Sequence, residues 1–161
     1  MTSIIIAFWN CQTVSVAKLK AFITLLVRPD ECVVCLSEAR VSPHVMTFLH
    51  GLTFWDVLVS ESDEHVVLKP KTFGLMSIWL SCKFAFGFTL LINSAMIHFV
   101  SVHLACDQYT RALELEGIMD TMATLKISKV IIGGDFNQIV HENDVEFTHN
   151  ASCGDGGIAP L

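Results

Sequence analysis

The sequence predicts a domain of the α+β class, and three observations predict it. Short apolar runs rich in Ile, Val and Phe recur along the chain between Gly, Pro, Asn and Ser, as strands buried on both faces do. Between some of these runs the apolar residues fall at helical spacing instead. The third observation is Lys129-Val-Ile-Ile-Gly-Gly-Asp-Phe-Asn137, an apolar strand that ends in two glycines and delivers Asp135 and Asn137 together. Residues two apart on an extended chain point to the same side. A carboxylate and a carboxamide side by side at a strand end can orient a water and hold an oxyanion. A hydrophilic turn after a core strand is the other reading of this segment.

The elements follow in order. Ile4 to Phe8 is a buried strand. Val16, Leu19, Phe22, Ile23, Leu26 and Val27 form a helical face that ends at Pro29. Cys32 to Leu36 is a second buried strand, ending in Ser37-Glu38-Ala39-Arg40. Ser42-Pro43 opens a short helix through Val45, Phe48 and Leu49, with Ser42 as N-cap and Pro43 in the first helical position. Trp55 to Val59 is a third strand. Glu61 to Lys71, the most polar stretch, predicts a surface loop. Gly74 to Leu80 and Ala85 to Ile92 read as strands, followed by Ala95 to Leu104. Asp107 then caps a helix with Leu115, Ile118, Met119, Met122 and Leu125 on one side, and Arg111, Glu114, Asp120 and Thr121 off it. The strand into Asp135 comes next. Periodicity stops after Val140, so residues 1–140 are expected to form one domain and 141–161 an irregular tail.

Composition bounds the function. The chain has 161 residues, 52% hydrophobic and 16% charged, with a mean hydropathy of +0.55. It is richer in apolar residues and poorer in charge than an average domain. It carries 10 Lys and Arg against 16 Asp and Glu, a net charge of -6. A protein that grips many nucleic-acid phosphates normally has a basic excess or stripe, and none is visible. Six cysteines are scattered without a framework spacing. Cys32 and Cys35 have the spacing of a metal or redox pair, but on a strand they point to opposite faces, which favours buried free thiols. A reducing, intracellular location follows, with no signal peptide at the N-terminus. Phe84 to Cys106 lacks charged residues and is long enough to span a bilayer. Asn93-Ser94 interrupts it, however, and Gly87, His98, Ser101 and His103 add polar breaks. It reads as two core strands joined by a turn, and a membrane-associated protein is the weaker reading.

Polar residues recur at strand ends: Asn10, Glu38, His103, and Asp135 with Asn137. Ends of adjacent strands converge on one rim, where sites are built. Singly each has another explanation. Asn10 caps a turn, Glu38 pairs with Arg40, and His103 is a satisfied core histidine. Jointly, Phe8-Trp9-Asn10, Leu36-Ser37-Glu38, Val100-Ser101-Val102-His103-Leu104 and Gly133-Gly134-Asp135-Phe136-Asn137 resemble the endonuclease/exonuclease/phosphatase superfamily. Trp-Asn alone is weak, Gly-Asp-Phe-Asn is fairly specific, and the ordered set is strong. The resemblance runs from near residue 4 to about residue 140.

That resemblance implies a two-sheet β-sandwich flanked by helices, a four-layer αββα arrangement, with the C-terminal strands missing here. It implies a metal-dependent phosphodiesterase or endonuclease-like hydrolase using Mg²⁺ or Mn²⁺. Glu38 would be the principal metal ligand, assisted by Asn10. Asp135 would orient or deprotonate the attacking water, and Asn137 would contact the scissile phosphate. His103 would contact phosphate or support the site, and Arg111 would bind substrate. The family's terminal Ser-Asp-His segment is absent; beyond Asn137 there are only His141, His149, Asp144 and Asp155. Activity is therefore expected to be weak. The alternative is an inactive remnant that binds a phosphate ligand or a protein. The partners expected are a phosphate ester, nucleic acid among the candidates, and a second copy through an exposed apolar sheet face.

Overall fold

The computed structural model describes residues 4–26 and 28–138. Its strands follow the apolar runs. β1 (Ile5–Asn10), β2 (Cys32–Ser37), β3 (Trp55–Val59) and β4 (His65–Pro70) form one four-stranded sheet in the order β1-β2-β4-β3. β5 (Gly74–Ser81), β6 (Ala85–Ile92), β7 (Ala95–His103) and β8 (Ile131–Asp135) form the second, in that order. Two pairs are parallel, β1 with β2 and β7 with β8; the others are antiparallel. The helices are α1 (Val16–Leu25), α2 (Pro43–His50) and α3 (Gln108–Thr124).

Alternation along the strands builds the layers. On β2, Val33 and Cys35 face the second sheet, where they meet Phe86, Phe88, Leu90 and Phe99. Phe88 and Phe99 stack with ring centroids 5.2 Å apart. Val34 and Leu36 face the other way, into a cluster with Leu19 of α1 and Val45 and Leu49 of α2. On the far side of the second sheet, Val100 and Val102 pack on Ile118 of α3. The central strands β2, β4 and β6 are thus covered on both faces, which explains their continuous apolar runs, whereas Leu75, Met76 and Ile78 of the edge strand β5 are exposed. The result is the α+β sandwich expected, with helices outside two packed sheets.

The caps are those the sequence indicated. Ser42 accepts from Val45 N at the start of α2, and Asp107 accepts from Thr110 N at 2.8 Å at the start of α3. Of the residues expected on the inner side of α3, Leu115, Ile118 and Met122 pack inward, while Met119 and Leu125 are exposed. Cys32 and Cys35 are buried free thiols in different clusters. Cys106 is disulfide-bonded. Asn93 and Ser94 have φ of 50° and 67°, the left-handed pair that closes a two-residue hairpin. They join Ile92 to its register partner Ala95. The uncharged stretch around them is therefore two strands. Among the described residues no helix is long and apolar enough to cross a membrane.

The polar stretch Glu61 to Lys71 is not a surface loop. It contains β4, which is buried at every position and lies between β2 and β3. Its polar residues misled the sequence reading because each finds an internal partner. Lys69 Nζ donates to Asp56 Oδ2 at 2.6 Å and to the Phe73 carbonyl at 2.8 Å. His65 is 0% exposed, with Nε2 3.2 Å from the Lys83 carbonyl and Nδ1 3.3 Å from Ser101 Oγ. A carbonyl only accepts, so Nε2 carries the proton and Nδ1 accepts from the Ser101 hydroxyl.

Burial lowers the His65 pKa to about 4, against the opposing carbonyl of Lys83 and with a small further push from His103. A histidine whose folded pKa lies below its unfolded value stabilises the fold fully above about pH 6.5. That contribution is lost as pH falls from there to about 4 and is constant below. At about 1.4 kcal/mol per pH unit between the two values, the loss is on the order of 3 kcal/mol. Urea melts of the wild type at pH 7 and 4.5 should differ more than those of His65→Gln, which lacks the titrating ring. Equal differences would show that His65 carries no such penalty.

Candidate active site

Parallel pairing sets the rim. Asn10 ends β1 opposite Ser37 of β2, and His103 ends β7 opposite Asp135 of β8. Glu38 follows Ser37 directly. The two sheets present these ends together because β8 packs close to β1, and the double glycine permits it. A Cβ on Gly133 would run into the ring of Phe8 on β1. Gly134 has φ +130°, and a Cβ there would strike the backbone of Val102 on β7. Only glycine fits either place.

Asp135 is held from both sides. Its Oδ2 accepts from Asn10 Nδ2 at 2.6 Å, across the two sheets. Its Oδ1 accepts from Asn137 N at 2.8 Å. Asn10 Oδ1 in turn accepts from Gln12 N at 3.2 Å. A carboxylate needs a donor, so the orientation of the Asn10 amide is set by chemistry as well as by position. The second inter-sheet pair is His103 Nε2 with Glu38 Oε1, at 2.9 Å and largely shielded from solvent. Glu38 adopts a left-handed backbone, φ 52°, which costs a residue with a Cβ about 1–2 kcal/mol. The Glu38 carbonyl, accepting from Thr13 N at 2.7 Å, helps hold it there. Strain of this kind gathers at functional sites. Arg40 does not pair with Glu38; it lies 3.9 Å from Glu64.

Asn137 and Arg111 are occupied by the backbone around the rim. Asn137, also left-handed at φ 47°, donates from Nδ2 to the Leu104 carbonyl at 2.6 Å. Arg111 Nη1 reaches the carbonyls of Ala105 at 3.3 Å, Cys106 at 2.8 Å and Asn137 at 2.7 Å. It fastens the loop after β7 to the loop after β8. Glu114, from the same helix, accepts from Ala105 N at 2.7 Å. The sequence reading missed the polar layer beneath the rim. Ser37, His65 and Ser101 are all buried, Ser37 is the register partner of His65, and Ser37 Oγ has no partner among the described residues. The signal was a histidine flanking an apolar triplet, hidden inside a stretch read as loop.

Among the described residues no group of three or more His, Cys, Asp or Glu is placed to hold a metal ion. The donor set at the rim is narrow. His103 takes Oε1 of Glu38, and Oε2 has no protein partner among the described residues. One carboxylate oxygen with nearby carboxamides does not suit zinc, which wants a full set of protein ligands. It suits a hard cation that keeps most of its waters. His141, His149, Asp144 and Asp155 lie outside the described residues.

No protein-family profile matches the sequence, and no curated protein sequence matches it. Solved structures do. The human Nocturnin catalytic domain with bound sulfate superposes with a TM-score of 0.65 at 16% identity, over 91% of this chain and 70% of that one. The endonuclease domain of TRAS1, a telomere-specific non-LTR retrotransposon, gives 0.64 at 15%, over 85% and 60%. D. rerio TDP2 complexed with a single-strand DNA product gives 0.59 at 15%, over 83% and 60%. The fold is that of an endonuclease/exonuclease/phosphatase family protein from Bacteroides thetaiotaomicron, at a TM-score of 0.60 and 15% identity over 91% of this chain and 68% of that one. A humanized D. rerio TDP2 also shares it, and the present chain spans 65% of that protein's length. At such identities the likeness is one of fold.

Within this fold the two glycines before Asp135 should be intolerant of any side chain. Gly133→Ala and Gly134→Ala should each destabilise by about 1–3 kcal/mol through overpacking, the second also through its positive φ. Gly117, in α3 with open space around its Cα, is the control. Gly117→Ala should stabilise by up to about 1 kcal/mol. Denaturant midpoints check all three, and a neutral Gly133→Ala would contradict the close packing of β8 on β1.

Proposed function

We propose that the rim is a weak, divalent-cation-dependent phosphoesterase centre of the nuclease-like hydrolase kind. The observation that carries this reading is the Asp135 carboxylate, oriented by Asn10 from the other sheet and by Asn137 N, beside the Glu38–His103 pair. Asp135, both oxygens already fixed, orients a water and accepts its proton. Asn137 and Arg111 hold the loop beside it and shape where a phosphate sits. Glu38, with Asn10, would hold the cation, and His103 fixes the Glu38 carboxylate. Bound Mg²⁺ or Mn²⁺ would polarise a phosphoryl oxygen and offset charge on the leaving oxygen. D. rerio TDP2 was crystallised with a DNA product. For this acidic chain, net charge -6, a short or small phosphate ester is the better fit than long nucleic acid.

A positioned histidine acting as general acid or base contributes about a hundred- to ten-thousand-fold in rate. Among the described residues the rim's histidine is committed to Glu38. Mg²⁺-dependent cleavage of supercoiled DNA or a model phosphodiester should therefore be very slow, and Asp135→Ala should abolish it. Turnover of about one to a thousand per second would refute the assignment of a weak centre. Mn²⁺ titration followed by paramagnetic relaxation should show binding that Glu38→Gln removes. Wild-type binding by that variant would remove Glu38 from the metal's ligands.

A second reading, a non-catalytic module for a phosphate ligand or protein, is favoured by the backbone engagement of Arg111 and the Asn137 amide. It predicts ligand binding with no hydrolysis under any divalent cation. In either case, among the described residues, β1 and β8 each pair on one side only, and Ile132 and Phe136 are exposed. We propose self-association through this side. Light scattering should show oligomers, and a monodisperse monomer would count against it.

A further inference from the structure

A concavity of mixed polar and apolar lining lies at the other end of the same two strands. It has a volume of about 460 Å³, and its walls include Lys126, Lys129, Ser128, His98, Met96 and Ile131. Met96 and Ile131 stand near the starts of β7 and β8, whereas His103 and Asp135 end them. At the rise of a strand, Ile131 lies about 13 Å from Asp135. The concavity is therefore separate from the rim. Its size falls in the range of small-molecule sites, about 300–1,000 Å³.

Its two lysines, Lys126 and Lys129, are donors without ion-pair partners among the described residues, although acidic residues outnumber basic ones in this chain. His98 has its Nδ1 2.7 Å from Thr89 Oγ1, which leaves Nε2 without a partner among the described residues. Ser128 adds a hydroxyl. Lys126 also occupies a strained position. It follows the C-cap of α3 with φ 56°, where helices usually place glycine. A cation at a helix C-terminus gains from the dipole, but Lys129 lies beyond any helix and gains nothing from it. Met96 and Ile131 supply an apolar wall beside these donors.

Two ammonium groups, a hydroxyl and an imidazole suit an anion with three or more acceptor oxygens, and the wall suits an apolar body attached to it. We propose that this concavity binds a small phosphomonoester, its phosphate between Lys126 and Lys129 and its apolar body against Met96 and Ile131. The binding needs neither a cation nor hydrolysis at the rim.

The test is titration of the full chain with phenyl phosphate, followed by calorimetry and by amide chemical shifts. Saturable binding is expected, with shifts at residues 96–98 and 126–131. Lys126→Gly should weaken it at least tenfold while the melting temperature stays level or rises, since glycine relieves the left-handed strain. Lys129→Gln should weaken it similarly. Glu38→Gln should leave the affinity unchanged, and inorganic phosphate should bind more weakly than phenyl phosphate. Absence of saturable binding, full affinity in both lysine variants, or loss of binding in Glu38→Gln would overturn the proposal. Equal affinity for inorganic phosphate would overturn the role of the apolar wall.

Discussion

The close approach of β8 to β1 is the constraint on which the rim depends. Two sheets packed face to face normally stand about 10 Å apart, too far for a carboxamide on one to meet a carboxylate on the other. At Gly133 the missing side chain lets the ring of Phe8 fill the space against bare backbone. The sheets pinch together there, and Asn10 reaches Asp135 at 2.6 Å. A charge-assisted hydrogen bond of this kind contributes about 1.5–3 kcal/mol. It also fixes the direction in which the remaining lone pairs of Asp135 point. Packing and chemistry thus depend on the same missing Cβ.

Below that contact the sandwich is not purely apolar. His65 links the sheets through Ser101 and the Lys83 carbonyl, while Ser37 beside it has a hydroxyl with no partner among the described residues. A half-satisfied polar layer is less stable than an apolar one of the same volume. It does give the two sheets a preferred alignment at the level where Glu38 must meet His103. The neutral state of His65 matters for the same reason, because a charge on its ring would act directly on the Glu38–His103 pairing above it.

Much of the architecture was legible in the residues. The apolar runs at β1, β2, β6 and β7 read as strands because both their faces are buried. Ser42-Pro43 and Asp107 marked helix starts through local hydrogen bonds that need no tertiary context. Asn93-Ser94 marked a hairpin by its tolerance of left-handed backbone. β4 was not legible. Its Lys69 and His65 look solvated until Asp56, Phe73, Lys83 and Ser101 are brought to them by pairing with distant strands. At the rim, the membership of Asn10, Glu38, His103, Asp135 and Asn137 could be listed from strand ends. Which pairs with which could not, because the Asn10–Asp135 and Glu38–His103 contacts both cross between sheets. Likewise nothing in the sequence distinguished an Arg111 that holds carbonyls from one that meets a ligand.

The placement of β1 and β8 has a kinetic consequence. Among the described residues each is bonded to a single neighbouring strand, and strands so placed open locally at lower free energy than those inside a sheet. Asn10 and Asp135 ride on these two strands. The fraction of molecules with an assembled rim therefore cannot exceed the fraction in which both edges are zipped, whatever the global stability of the domain. With reclosing fast, backbone amides of β8 would exchange with solvent in proportion to the fraction of molecules whose rim is open. The opening rate itself sets the mean interval over which the Asn10–Asp135 clamp stays closed.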